Sequence, residues 1–250
     1  MIFPGFVSSF EDGEHPMAKP APLHGAKVLQ CCKKQPLTSR PSNYTFQVIP
    51  TKGGQVEKIV ETALKESVKS KEDFVKENGP KLILFAERIA LAFTNERKLM
   101  LCGNGGSAAD AQHLAAEFVN RFILERPPLP AVALTTDTSV ITSIANDYSF
   151  EEVFSKQIKA LGREGDVLLA FTTSGNSANV VSAVKTARKM GLYSAVMTGG
   201  EGGKIAKMAD LCLTVKTAST PRIQEVHIFA GHLICQMVDH VLFQKGSKGE

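Results

Sequence analysis

The chain has 250 residues, of which 43% are hydrophobic, and its formal charge is only +4 at pH 7. That size and composition suit one α/β domain with additional segments, and the small, evenly spread charge does not favour a nucleic-acid-binding protein. The sequence has no run of about eighteen apolar residues, so we expect no transmembrane helix.

Residues 1–54 differ in composition from the rest of the chain. They contain seven prolines and no sustained apolar periodicity, so we predict a mostly disordered extension ahead of a single domain at 55–250. The first residues lack the basic start and the apolar core of a secretory signal. Five cysteines, three of them in apolar runs, indicate free thiols in a reducing compartment. We therefore expect a cytoplasmic protein.

Two helices are predicted ahead of the first strand. Apolar residues recur at helical spacing from Val56 to Val75. Pro80 is expected to open a second helix that continues through Phe93, since proline is tolerated in the first turn. Helices with such apolar stripes usually pack on a sheet or on a partner subunit, so we place them at a subunit interface.

An alternation of short strands and helices follows. Helices are predicted at 107–121, 138–145, 151–161, 177–190, 203–209 and 221–243. Five buried strands are predicted at Leu99–Cys102, Ala131–Leu134, Val167–Phe171, Ser194–Met197 and Leu211–Val215. This pattern indicates an α/β fold with a doubly wound, five-stranded parallel sheet flanked by helices. In such sheets ligands bind beyond the carboxyl ends of the strands.

The first strand is followed by the glycine-rich loop Gly103–Ser107, with sequence GNGGS. Glycines allow a ligand to approach the backbone, and the start of the next helix offers free N–H groups. Taken alone, this loop is as consistent with a tight turn as with a binding site. It lacks both the GK[ST] ending of a Walker loop and the GxGxxG pattern, so we predict no nucleotide cofactor.

The third strand leads into the loop TTSGNS at 172–177, which carries four hydroxyls ahead of a helix. Hydroxyls and backbone amides together can bind a phosphate without a lysine. The alternative is a helix cap by Asn176 or Ser177. One hydroxyl would serve a cap, so four favour phosphate binding. Asn146 and Asp147, which follow the helix after the second strand, are by themselves typical turn residues.

Polar residues lie on one face of each of two predicted helices. His113 and Glu117 are about 40° apart around the first. Gln224 and His232 lie eight residues apart on the last helix, among apolar neighbours. Together these groups could bind a divalent metal, act as acid and base without one, or form only a surface pair. His227 and His240 are interpreted as surface or interface residues.

Several motifs in continuous order resemble the phosphoheptose isomerases of the sugar isomerase (SIS) fold. The resemblance runs from about residue 56 to the end of the chain. The motifs are CGNGGSAADAQHLAAE, AND at 145–147, GDVLLAFTTSGNSANV, MTGGEGG and RIQEVHIFAGH. Members of this family convert sedoheptulose 7-phosphate to glycero-manno-heptose 7-phosphate in lipopolysaccharide biosynthesis. The resemblance therefore implies an aldose–ketose isomerase that works through an enediol(ate).

The resemblance also implies roles for the matched positions. Glu117 would be the base and His232 the partner acid, and His113, Glu117, Gln224 and His232 would be ligands of one zinc ion per subunit. The substrate would bind to Asn104, Gly105, Gly106, Ser107, Glu117, Asn146, Asp147, Thr172, Thr173, Ser174, Ser177 and Gln224. The family further implies a homotetramer with active sites at subunit interfaces.

Three other functions share this fold. The stretch NRFILERPPLPAVALTTDTSV is similar to a protein that binds the replication initiator DnaA, in a branch whose catalytic residues have decayed. Here Glu117 and His232 are both present, which favours the enzyme. Arabinose 5-phosphate and hexulose 6-phosphate isomerases share the fold, and by resemblance the HxxxE…QxxxxxxxH arrangement favours the heptose branch over them. A sugar-phosphate sensor usually carries a DNA-binding domain, and residues 1–54 show no helix-turn-helix pattern, so direct nucleic-acid binding is not expected.

Overall fold

The computed structural model describes residues 54–243. The predicted extension, including Cys31 and Cys32, lies outside them except for Gly54. The other three cysteines, Cys102, Cys212 and Cys235, are free thiols as predicted, and the first and last of these are buried.

The N-terminal segment is one helix, α1 (Gln55–Thr94), and the prediction of a second helix opening at Pro80 was wrong. The buried stripe of α1 continues past the proline, through Asn78 and Leu82, without a change of phase. Proline leaves the carbonyl of the residue four positions earlier without its donor. That residue, Lys76, is exposed, so water can bind its carbonyl. Continuous packing therefore keeps the helix intact.

The five predicted strands are present, with ends shifted by up to two residues. All neighbours pair in parallel, in the order β2-β1-β3-β4-β5. The strands are β1 (Leu99–Cys102), β2 (Ala131–Ala133), β3 (Val167–Thr172), β4 (Tyr193–Gly199) and β5 (Leu211–Val215). The predicted doubly wound parallel sheet is confirmed.

The remaining helices agree with the sequence pattern except at two short segments. They are α2 (Gly106–Val119), α3 (Thr138–Asp147), α4 (Val153–Leu161), α5 (Ala178–Lys189) and α6 (Thr220–Phe243). A 3₁₀ turn at Phe150–Glu152 precedes α4, and the predicted helix 203–209 is only the 3₁₀ turn Lys204–Lys207. Gly202 and Gly203 have positive φ just before that turn, which delays any helix there.

Two apolar layers cover the sheet, one on each face. Leu99 and Leu101 point to the layer that contains α1, α2 and α6, whereas Met100 and Cys102 point to the layer that contains α4 and α5. The alternation follows from the two-residue period of a strand. Because both faces are covered, β1 and β3 are buried along their whole length.

Helix α6 is long and apolar enough to span a membrane by composition, with a mean hydropathy of 1.3 in its most apolar window. It packs against α1 and α2 and buries residues such as Val226, Ile234 and Asp239. A core helix passes the same test, so one such helix is weak evidence for a membrane. Its apolar face is explained by packing inside the domain.

Candidate functional site

The strand order places a crevice between β1 and β3. From β1 the chain winds outward to β2, and from β3 it winds in the opposite direction to β4 and β5. The carboxyl ends of the two strands at such a switch point diverge into different loops, and ligands bind between them. The loops that follow β1 and β3 are GNGGS and TTSGNS, so both sequence motifs lie at this crevice.

A reciprocal pair of amides joins the two sides of the crevice. Asn104 Nδ2 donates to Asn179 Oδ1 over 2.9 Å, and Asn179 Nδ2 donates to Asn104 Oδ1 over 2.8 Å. Asn179 is buried in the first turn of α5 and escaped the sequence analysis, although its position next to TTSGNS could have identified it. The pair fixes the GNGGS loop relative to the start of α5, and Ser107, the last residue of that loop, is buried.

The hydroxyl groups of TTSGNS are not used as helix caps. Ser177 is the residue at the N-cap of α5, yet its side chain makes no capping hydrogen bond. Its Oγ instead lies 3.2 Å from Thr172 Oγ1. The Ser174 Oγ accepts the backbone N–H of Asn176. The capping alternative therefore does not account for these hydroxyls, and the free N–H groups at the start of α5 face the same loop.

A cleft of about 410 Å³ opens beside this loop. Thr173, Ser174 and Asn176 line one side, and Gly199, Gly200 and the start of α6 line the other. Asn176 Oδ1 accepts the backbone N–H of Lys204, which ties the loop to the segment after β4. The cleft combines hydroxyls with the backbone of several glycines, which is chemistry suited to a small anion.

The structure brings together three of the four polar residues that the sequence placed on two helices. His113 and Glu117 project from α2 and His232 from α6. The Nε2 atoms of the two histidines are 2.9 Å apart, and His113 Nε2 is 3.4 Å from Glu117 Oε1. The reactive atoms of all three lie within 4.8 Å of one another. The two helices therefore meet at these side chains, as the ligand set implied by the family resemblance requires.

These three side chains fit a divalent metal. Ligand atoms around a tetrahedral zinc ion, at bonds of about 2.1 Å, lie about 3.4 Å apart. The separations of 2.9 and 3.4 Å within the cluster are close to that spacing. Two neutral imidazoles and one carboxylate are also the donor types of catalytic zinc sites. The residues His113, Glu117 and His232 thus suit such an ion by chemistry and by spacing.

The imidazole of His232 is partly buried. Phe122, in the connection after α2, stacks on it with a centroid distance of 5.2 Å and an interplanar angle of 29°. Burial lowers the pKa of His232, and the neighbouring His113 lowers it further, against the opposing effect of Glu117. A lowered pKa favours the neutral imidazole, which can accept a proton or bind a metal. Phe122 had no signal in the sequence.

Gln224 lies at the other end of the contact between α2 and α6. Its side-chain amide packs directly over Gly106, where an added Cβ would come within 2.4 Å of Nε2. Gly106 and His113 are separated by about 10 Å along α2. Gln224 therefore lies near the crevice and the GNGGS loop, about two turns from the three clustered side chains.

Asn146 and Asp147 are the last residues of α3 rather than members of a loop, so the turn interpretation was wrong at this point. Helix α3 extends two residues beyond its predicted end. Asn146 Nδ2 donates to Asp147 Oδ1 over 2.9 Å, and both side chains are exposed.

Asp110 is a polar residue of α2 that sequence reasoning missed. It precedes His113 by three positions, a spacing that places both on neighbouring parts of one face. Partial burial raises the pKa of Asp110 to about 6, against the opposing effect of His113. Its Oδ2 has no hydrogen-bond partner among residues 54–243. Asp110 thus adds a weakly acidic carboxyl group close to the cluster.

His227 was interpreted as a surface or interface residue, and the structure contradicts this. The side chain is fully buried against Phe171, and its Nε2 lies 3.2 Å from the Thr198 carbonyl oxygen. Burial lowers the pKa of His227 to about 4. His227 lies on α6 three residues before Ala230, and both belong to the buried face of the helix.

We expect His227 to make the protein less stable in mild acid. An unfolded histidine titrates near 6.5, so the contribution of the neutral form is present above that pH and is lost as the pH falls towards 4. Between pH 7 and pH 5 the loss in unfolding free energy is about 2 kcal/mol. His227→Gln keeps a donor for Thr198 without titrating, so urea denaturation at both pH values should show a smaller loss for the variant. An equal loss would show that His227 is not responsible.

A larger cleft, of about 770 Å³, lies elsewhere on the described residues. It runs between α1 and the segment from Val215 to Arg222. Several of its charged side chains are already paired, Lys69 with Asp73 and Lys216 with Glu77. We therefore place the candidate phosphate site at the smaller cleft, which the TTSGNS loop lines.

Comparison with known proteins agrees with this site. Residues 64–199 match the model of the SIS domain family. The chain is 55% identical over 179 residues to a phosphoheptose isomerase of Nitratidesulfovibrio vulgaris strain Miyazaki F, covering 72% of this chain and 86% of the relative.

Solved structures are similar as well. The phosphoheptose isomerase of Neisseria gonorrhoeae matches with a TM-score of 0.70 and 46% identity, over 74% of this chain and 99% of that one. The phosphoheptose isomerase of Francisella tularensis matches with a TM-score of 0.72 and 36% identity, over the same shares of the two chains.

Proposed function

The chain belongs to the SIS domain family and, within it, to the phosphoheptose isomerases, and from this membership we propose that it converts sedoheptulose 7-phosphate to D-glycero-D-manno-heptose 7-phosphate. The observation that carries the proposal is the meeting of Glu117, His113 and His232 where α2 and α6 pack together, about two turns along α2 from the GNGGS loop. The product would supply heptose for lipopolysaccharide. The enzyme would act in the cytoplasm.

The phosphate would bind in the cleft beside TTSGNS. Thr172, Thr173, Ser174 and Ser177 would donate hydroxyl hydrogens to it, together with N–H groups at the start of α5. From there the open-chain sugar would extend past the GNGGS loop and Gln224 towards the three clustered side chains. Ser107, Asn146 and Asp147 complete the proposed sugar-binding set.

Glu117 would move the proton that the reaction transfers. Its carboxylate would remove a proton from C1 of the ketose, leaving a 1,2-enediol(ate), and would return the proton to C2 to give the aldose. His232 would carry a proton between the oxygens on C1 and C2. Its lowered pKa supports this role, because a largely neutral imidazole can accept the proton before it donates.

One zinc ion per subunit would be held by His113, Glu117 and His232, with Gln224 as the fourth ligand implied by the family. When bound, zinc would supply positive charge that stabilises the oxygens of the enediol(ate). The three closely spaced donors support the first part of this assignment. The Gln224 amide lies over Gly106, so its side chain would have to turn towards the histidines.

We further propose a homotetramer assembled through α1. The N-terminal half of this helix exposes large apolar side chains along one face, including Ile59, Val60 and Leu64, each more than 60% exposed. Monomeric soluble proteins rarely expose a continuous apolar stripe of this length. Contact with other copies would cover it.

Charge placed on this face should break the assembly. We expect Ile59→Glu combined with Leu64→Glu to reduce the mass in solution from that of four chains, because desolvating two carboxylates in an apolar contact is costly. Light scattering coupled to size-exclusion chromatography measures the mass. Lys65→Glu, on the polar side of the same helix, should leave it unchanged. A double variant that keeps the wild-type mass would exclude this face.

Substrate choice is tested by offering the purified protein three sugar phosphates. We expect isomerisation of sedoheptulose 7-phosphate, followed by NMR with zinc supplied, to be far faster than that of arabinose 5-phosphate or 3-hexulose 6-phosphate. A preference for either shorter sugar would reject the heptose assignment while keeping the isomerase fold and mechanism.

A further inference from the structure

The connection between α2 and β2 carries a buried arginine that touches both helices of the site. The Arg126 side chain is 1% exposed, and its Nε donates to Asp239 Oδ1 over 2.7 Å. Asp239 belongs to α6, two turns after His232, and its side chain is 3% exposed. This is a fully desolvated ion pair, so removing one partner would leave the other charge buried and uncompensated. The second carboxylate oxygen, Asp239 Oδ2, is buried without a hydrogen-bond partner among residues 54–243.

The same guanidinium caps the end of α2. Nη2 donates to the Glu117 carbonyl over 2.9 Å, and Nη1 donates to the Phe118 carbonyl over 2.8 Å. The last carbonyls of a helix have no partner within it, and a cation there also complements the helix dipole. Arg126 therefore binds the backbone of Glu117 itself while it holds α6 through Asp239.

Two neighbouring contacts complete this arrangement. Gly231 of α6 allows α2 to approach closely, since an added Cβ would lie 2.4 Å from Leu114 Cδ1. Phe122, four residues before Arg126, stacks on the His232 imidazole. Anchoring the connection at Arg126 thus fixes the ring that covers His232 as well as the two helices.

We propose that Arg126 and Asp239 are positioning residues, which hold α2 against α6 so that Glu117 faces His232. The catalytic consequence rests on the proposed function, whereas the clamp itself does not. The pair does not touch the TTSGNS loop, so it acts on the groups that move protons and not on those that bind phosphate. Displacing reacting groups by about 1 Å can cost a factor of about 100 in rate.

Three variants distinguish a positioning role of the pair from a general effect on folding. Arg126→Lys keeps the charge, but a single ammonium cannot reach Asp239 and two carbonyls with fixed geometry. Arg126→Met combined with Asp239→Leu replaces the pair by apolar side chains, which usually preserves folding. Arg188→Met is the control away from the site: Arg188 also pairs with an aspartate, Asp210, and donates to the Met208 carbonyl, although its side chain is 52% exposed.

Steady-state kinetics and hydrogen exchange then test the proposal. We expect the Lys variant and the paired variant to unfold cooperatively, to lose about 100-fold in kcat, and to keep KM within about threefold. Amides of 112–120 should exchange faster than in the wild type, while those of 172–180 should not. Arg188→Met should resemble the wild type in both measurements.

The two measurements test different parts of the proposal. A folded paired variant with wild-type kcat would overturn the positioning role, and unchanged exchange at 112–120 would overturn the clamp. A parallel rise in KM and fall in kcat in all three variants would indicate a general structural effect and would also overturn it. If the wild type itself does not isomerise the substrate, the proposed function fails, and exchange at 112–120 still decides whether the clamp exists.

Discussion

Glu117→Gln should reduce kcat for sedoheptulose 7-phosphate by a factor of about 1000, the middle of the range that a general base contributes. The amide keeps the size and shape of the side chain on α2 but cannot accept the proton from C1. KM should change little, because the phosphate would be bound by the loop after β3. NMR of the substrate and product resonances measures both parameters.

The structure supplies a control for this substitution. Glu151 is exposed in the turn before α4, and Glu151→Gln removes a carboxylate outside the site. It should leave kcat unchanged. If Glu117→Gln retained more than about a tenth of the wild-type kcat, the residue would not be the base, since a loss below tenfold is smaller than general-base catalysis accounts for.

Gly175→Ala should damage both stability and substrate binding. Gly175 has φ +66°, and an added Cβ would lie 2.0 Å from the Gly202 carbonyl oxygen and 2.9 Å from Gly203 Cα. These are backbone atoms, so the TTSGNS loop or the segment after β4 must move. We expect a loss of about 2–4 kcal/mol in unfolding free energy. We also expect a rise of about tenfold or more in KM, equivalent to about 1.4 kcal/mol or more.

Gly200→Ala is the matched comparison for this clash. Gly200 also has positive φ, +60°, but an added Cβ would meet nothing within 4 Å. The loss in unfolding free energy of Gly200→Ala should therefore be limited to backbone strain, about 1 kcal/mol. Denaturant unfolding and KM, measured for Gly175→Ala and for Gly200→Ala, distinguish the clash from backbone strain. Equal effects at both glycines would show that backbone conformation, and not the contact with Gly202, determines the loop.

The sequence predicts the sheet well because its signals are local. Each strand is a short apolar run between helices of clear period, and parallel pairing follows from that alternation. Pro80 was misjudged because its effect depends on packing: the buried stripe from Asn78 to Leu82 holds the helix together across it. The segment 203–209 was predicted too long because Gly202 and Gly203 adopt positive φ, which the apolar pattern does not reveal.

The part of the site that was predicted also rests on local sequence signals. His113 and Glu117 are neighbours on one helix, so their spacing identifies them, and resemblance to a family supplied His232. Arg126 and Phe122 could not be found in this way. Each acts through a contact between distant segments, and an arginine or a phenylalanine in a connection carries no pattern of its own.

The most direct test of the account is isomerisation of sedoheptulose 7-phosphate in D₂O, followed by ¹H and ¹³C NMR. Proton transfer through Glu117 predicts product that carries deuterium at C2, because an enzyme-bound proton can exchange with solvent before it returns to carbon. It also predicts that this product is lost with Glu117→Gln. Undiminished formation of product by Glu117→Gln, or no turnover from folded wild-type protein supplied with zinc, would contradict the account. The second result would favour the alternative of a non-catalytic partner of the replication initiator.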